Sequence, residues 1–152
     1  MRNFVDCGIE ILAGSDNNLI AGNYIGGLTF ASGDAGLAER NLTHGIRISG
    51  SNNTIGGTDP TGLDRNVLAR NAVDGIFVNS GDGNVIIGNY IGTNAAGDTA
   101  LANEDGIQVN KNGASIPTNT RIGGTAAGEG NLISGNVNNG IELYKTGGGG
   151  NG

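Results

Sequence analysis

The feature that most constrains this chain is a short unit, Gly-Ile followed by one variable residue and an aliphatic one, that returns five times. The copies are Gly8-Ile9-Glu10-Ile11, Gly45-Ile46-Arg47-Ile48, Gly75-Ile76-Phe77-Val78, Gly106-Ile107-Gln108-Val109 and Gly140-Ile141-Glu142-Leu143. They recur about every 30 to 37 residues, the range in which solenoid and other repeat architectures fall. Within each unit apolar and variable residues alternate, the period-2 pattern of a strand with one buried face. Glycine density and β-branched positions disfavour helix.

The segments between the units come in two kinds. After the first and third units stand Asn18-Leu19-Ile20-Ala21-Gly22-Asn23-Tyr24-Ile25-Gly26 and Asn84-Val85-Ile86-Ile87-Gly88-Asn89-Tyr90-Ile91-Gly92. These lead into loops of shared skeleton, Gly33-Asp34-Ala35-Gly36-Leu37-Ala38 and Gly97-Asp98-Thr99-Ala100-Leu101-Ala102. After the second and fourth units stand Thr54-Ile55-Gly56-Gly57 and Arg121-Ile122-Gly123-Gly124. A loop and then Asn66-Val67-Leu68-Ala69-Arg70-Asn71 or Asn131-Leu132-Ile133-Ser134-Gly135-Asn136 follow each. The true period is therefore a two-coil unit of about 64 residues.

Short equivalent strands at this spacing do not pair as hairpins. They stack in parallel, about 4.8 Å apart, so that successive coils supply a core no single coil can bury. The sequence predicts an inward column of Ile9, Ile46, Ile76, Ile107 and Ile141, with Ile11, Ile48, Val78, Val109 and Leu143 beside it, and outward x positions, among which Glu10 and Arg47 are expected as a cross-rung ion pair. Ile76→Asp is expected to unfold the chain and Phe77→Ser to cost little. Residues 27–40, 58–65, 93–102 and 125–130 are expected as loops that alternate between two corners. Recurrent asparagines (Asn18 and Asn84, Asn23 and Asn89, Asn71 and Asn136) are expected at corners, hydrogen-bonded along the axis. Residues 1–146 form one domain, and residues 147–152 are expected as a flexible glycine-rich tail. The lead-in Arg2-Asn3-Phe4-Val5-Asp6 reads as a copy of Arg70-Asn71-Ala72-Val73-Asp74, so the chain is expected to start inside a coil.

Composition excludes several classes. Gly is 31 of 152 residues, but there are two prolines and no Gly-X-Y period, so collagen is out. With no Trp, three Tyr and three Phe, the core must be aliphatic. A net charge of −6 with eight scattered basic residues argues against nucleic acid as a partner and against a polybasic membrane contact. No apolar stretch approaches the ~20 residues of a membrane span, and no signal peptide is visible. Cys7 is the one cysteine, without metal-ligand partners at usable spacing, and is expected buried or inert.

Three segments carry a resemblance: residues 84–93 (Asn-Val-Ile-Ile-Gly-Asn-Tyr-Ile-Gly-Thr), the Gly-Asp-Thr-Ala-Leu-Ala-Asn loop at 97–103, and residues 122–136. They resemble the tandem right-handed parallel β-helix repeats of large bacterial secreted and cell-surface proteins, the pectate-lyase-like superfold. The resemblance implies an all-β, right-handed parallel β-helix of about four to five coils, at an extracellular or cell-surface location. It is poor for function, because the fold carries lyases, hydrolases, epimerases, tailspikes, adhesins and passive stalks.

One column holds the candidate chemistry: the residue before each Gly-Ile, namely Cys7, His44, Asp74, Asp105 and Asn139. In register, His44, Asp74 and Asp105 stand on adjacent rungs with Arg47 nearby. These four are the candidate catalytic residues of a polysaccharide lyase, hydrolase or epimerase, with Arg47 facing a substrate carboxylate. Asp74 and Asp105 are also the candidate ligands for Ca²⁺, the one cofactor that comes into view. The plainer reading is that Asp and Asn before Gly are turn formers. The leading expectation is a non-catalytic structural or adhesive segment that associates end to end with itself or with neighbouring repeats. Its alternatives are the polysaccharide enzyme and a carbohydrate- or calcium-binding module.

Overall fold

A computed structural model describes residues 1–29, 34–110 and 116–144, so the Gly147–Gly150 tail lies outside the described residues. The chain winds as a parallel β-solenoid of three sheets. The first is formed by β1 (Ile9–Ile11), β4 (Ile46–Ile48), β7 (Ile76–Val78), β10 (Ile107–Asn110) and β13 (Ile141–Tyr144), in that order. The second holds β2 (Leu19–Ile20), β5 (Thr54–Gly56), β8 (Val85–Ile87) and β11 (Arg121–Ile122). The third holds β3 (Tyr24–Ile25), β6 (Val67–Leu68), β9 (Tyr90–Ile91) and β12 (Leu132–Ile133). All pairings are parallel, and the five Gly-Ile units stand in the register the sequence gives them: Ile9, Ile46, Ile76, Ile107 and Ile141 are successive partners.

The core is a thin aliphatic stack. Ile46, Ile48, Ile76, Val78 and Ile107 are fully buried, as are Ile55 and Ile86 of the second sheet and Ile25, Leu68 and Ile91 of the third. Each such side chain contributes roughly 1.5–3 kcal/mol on leaving water. The expected column departs from this at β13, where Ile141 and Leu143 are 47% and 67% exposed because no described rung lies above them. The glycine of each of the first four Gly-Ile units is required by stacking rather than by a special backbone angle. A Cβ on Gly45 would stand 2.6 Å from the carbonyl oxygen of Gly75, and one on Gly75 2.7 Å from that of Gly106. At the end of β3 both demands coincide: Gly26 has φ +116°, and a Cβ there would stand 1.8 Å from Ala69 O.

The Asn-rich segment forms two strands. Gly22 and Gly88, both at positive φ, turn the chain between the second and third sheets. The long connections follow β3, β5, β9 and β11 in turn, which places them alternately at two corners, as expected. The two loops of shared skeleton differ in packing. Leu101 is buried with Val67, Ala69 and Leu28 in a small cluster outside the tube, whereas its expected counterpart Leu37 lies exposed at a 3₁₀ turn (Leu37–Glu39).

Asparagines form a ladder at each of the three corners. One runs Asn18, Asn53, Asn84; the second Asn23, Asn66, Asn89, Asn131; the third Asn41, Asn71, Asn103, Asn136. Each Nδ2 donates to Oδ1 of the next asparagine at 2.9–3.1 Å. The second amide hydrogen is spent on a backbone carbonyl of the rung below: Asn66 on Ile20 O, Asn89 on Ile55 O, Asn131 on Ile86 O. The carbonyls that point away from their own sheet at a bend are thus satisfied without water. The lead-in is one residue out from the expected alignment. Phe4 N donates to Asn41 Oδ1 as Asn71 N does to Asn103 Oδ1, so Phe4, not Asn3, stands at the ladder position. Asn3 instead takes the positive-φ place that Arg70 occupies two coils on.

Candidate functional site

The column before the Gly-Ile units is real. Gly8, Gly45, Gly75 and Gly106 donate their N–H groups to the carbonyls of His44, Asp74, Asp105 and Asn139 in turn, so Cys7, His44, Asp74, Asp105 and Asn139 occupy equivalent places on successive rungs. Each ends the corner that enters the first sheet, and the following glycine brings the next carbonyl close beneath it.

Asp74 is the unusual member. It is completely buried, and His44 Nδ1 lies 2.9 Å from its Oδ2. The contact is short but off the line of a directed hydrogen bond, and neither carboxylate oxygen has another donor among the described residues. A carboxylate held out of water without directed donors is costly, and the His44 ring is the partner the structure sets against it. Asp105, one rung on, is solved differently: it is 6% exposed, and its Oδ1 accepts the N–H of Asn139 at 2.7 Å. The His44 ring stacks on Phe77, centroids 4.6 Å apart and planes 19° from parallel. Phe77, an outward x position, therefore packs against His44, a contact that Phe77→Ser would remove.

Arg47 does not join Asp74 and Asp105. Its Nε donates to Glu10 Oε1 at 2.9 Å, and an Nη reaches the same oxygen, with Asp6 3.8 Å away. The hydrogen bond to Glu10 holds its guanidinium above the ordinary range. This is the cross-rung ion pair expected between the outward x positions, and it turns the arginine one rung down, away from the aspartates. Asp6 also accepts from Thr43 Oγ1 at 2.8 Å and from the Cys7 thiol at 3.4 Å. These bonds, that of Thr43 first, hold the Asp6 carboxyl below the usual range. Cys7 is half-buried, and burial pushes its thiol up, so it stands as a protonated thiol with Asp6 and Thr43 as its hydrogen-bond partners.

Among the described residues no three His, Cys, Asp or Glu side chains gather as a metal-holding group. No described helix is long and apolar enough to cross a membrane. Two contacts escaped the sequence. One is the His44–Phe77 stack, which depends on rotamers. The other is Arg65 lying over the Tyr90 ring, 3.9 Å from its centroid. The only sequence signal for the latter is that Arg65 precedes Asn66 where Gly22, Gly88 and Gly130 precede the other asparagines of that ladder. Set beside protein-family models, curated proteins and solved structures, the chain matches none of them.

Proposed function

We propose that the chain is a structural, adhesive β-helix segment of an extracellular bacterial protein, associating end to end with neighbouring repeats or with a second copy of itself. The observation that carries this reading is the difference between interior and end rungs. Ile46, Ile76 and Ile107 are fully buried between neighbours, whereas Ile141 of the same column and Leu143 of the next are exposed on a strand edge that no described strand pairs. A further rung placed there would continue both the sheet and the core. Register also sets a condition. Laying β1 of one copy on β13 of another brings Glu10, which already carries Arg47, beside Glu142, so association is expected to strengthen as salt screens the two carboxylates. Size-exclusion chromatography with light scattering over a concentration series at low and high salt tests this. Assemblies that grow with concentration support it, and a sharp monomer under every condition overturns it.

The second reading, a polysaccharide lyase, hydrolase or epimerase, is favoured by one observation, the buried Asp74 against His44. Incubation with acidic polysaccharides, followed by reducing ends or unsaturated-product absorbance, decides between them. Turnover lost in both Asp74→Asn and Asp105→Asn would replace the structural reading. A melting temperature raised by calcium and unmoved in those variants would favour the binding module.

A further inference from the structure

The corner between the second and third sheets carries a second site. Loops 58–65 and 125–130 leave the solenoid at this corner on alternate coils, two rungs apart, with the bare turn at Gly88 between them. They enclose a hollow of about 480 Å³, within the ~300–1,000 Å³ range of small-molecule sites. A neighbouring hollow of about 340 Å³ reaches toward Tyr24, and Gly62 and Arg65 border both.

Arg65 is a departure from the repeat. The residue before each asparagine of this ladder is Gly22, Arg65, Gly88 and Gly130, so one guanidinium projects where the other coils carry no side chain. Arg47, Arg70 and Arg121 each lie on a carboxylate, at Glu10, Asp34 and Glu129. Arg65 has no ion pair among the described residues, and its Nε is buried without a hydrogen-bond partner. Its plane is fixed by the Tyr90 ring beneath it. The acid that shares the hollow is occupied: Asp59 accepts the Thr61 N–H at 2.7 Å and its hydroxyl at 2.6 Å, which holds the Asp59 carboxyl below the usual range. A guanidinium presents a planar fork of donors that matches a carboxylate, and backing by a ring removes the freedom such a contact would otherwise cost. In a chain of net charge −6, with Asp59 and Asp64 close by, a singly charged anion fits this place better than a dianion.

We propose that the Arg65 slot binds the carboxylate of a small polar ligand, seated on glycine walls between the two loops. The test is an NMR titration of the ¹⁵N-labelled protein, read at the Arg65 Nε–H and at the amides of Gly62, Gly88 and Gly130. Glucuronate is the probe, glucose its uncharged counterpart and inorganic phosphate the competing anion. Saturable shifts confined to these groups are expected with glucuronate and not with glucose. Arg65→Gly restores the residue of the other coils, so it is expected to fold. It should weaken binding about tenfold or more, and Arg65→Lys, which keeps the charge and loses the fork, less. No saturable shift, equal shifts with glucose, tighter binding of phosphate, or binding retained in Arg65→Gly would each overturn the proposal. Were Arg65 only a clip on Tyr90, Arg65→Gly would lower the melting temperature and the carboxylate would move nothing.

Discussion

Two kinds of polar column run up the corners of this solenoid, and both are buried at their inner rungs, at Asn66 and Asn89 in one and at Asp74 and Asp105 in the other. In the ladder of Asn23, Asn66, Asn89 and Asn131 each described amide hydrogen has a place, on the next asparagine or on the carbonyl of a bend. In the column of Cys7, His44, Asp74, Asp105 and Asn139 no two neighbours solve the problem alike, and Asp74 lies wholly buried with no directed donor. Repetition makes a buried polar group inexpensive because an amide is both donor and acceptor, so each rung completes the one below it. A carboxylate only accepts. It breaks such a chain wherever its neighbour has no hydrogen to give.

The comparison can be broken in four places. The largest effect belongs to the core both columns surround: Ile76→Asp puts an unpaired charge between two fully buried isoleucines and is expected to abolish the cooperative far-UV dichroism transition altogether. A stable, folded variant would mean that the coils are independent of one another. Next is Asn66→Ala, which strands the Ile20 carbonyl and the Asn23 amide together. At about 1–3 kcal/mol for each group left unsatisfied, chemical denaturation should show a loss of several kcal/mol. A loss below 1 kcal/mol would mean that water replaces the ladder. Asp74→Asn should act in the opposite sense, raising stability by about 1–2 kcal/mol, because it removes a desolvated carboxylate that no directed donor satisfies. A fall in melting temperature would instead identify the His44–Asp74 contact as a net stabilising pair.

The smallest effect tests whether a ladder can be lengthened. Thr120 stands on the rung after Asn84, and its hydroxyl is buried without a partner. Thr120→Asn is expected to extend that ladder by one member and add about 0.5–1.5 kcal/mol, read from the denaturation midpoint. No gain would place the end of the ladder at Asn84 for geometric reasons.

The winding was legible because Gly45 and its equivalents leave no room for a Cβ, so the Gly-Ile spacing marks every coil directly. The ladders were legible in part. Asn18, Asn84, Asn23, Asn89, Asn71 and Asn136 stood out by their shared context, whereas Asn53, Asn66, Asn41 and Asn103 became members only once three corners existed. The bends at Gly22 and Gly88 were not marked as the boundary between two sheets, since a glycine at positive φ is indistinguishable in the sequence from any other glycine. At the candidate column the sequence placed His44, Asp74 and Asp105 on adjacent rungs. It offered Arg47 two roles, beside those aspartates and across the rung to Glu10, and the structure decides for Glu10.

The alternation of the long loops has a consequence for how a chain of this kind can change length. Loops 58–65 and 125–130 share a corner two rungs apart, roughly 9.6 Å at strand spacing, and already approach each other where Gly128 meets Thr58. Removing a single coil would bring like loops onto adjacent rungs, half that distance, and leave the opposite corner bare. Removing or adding coils in pairs keeps every loop opposite its gap and every asparagine over another. Such a rod can therefore grow or shrink only by even counts, as a ratchet with a two-tooth step.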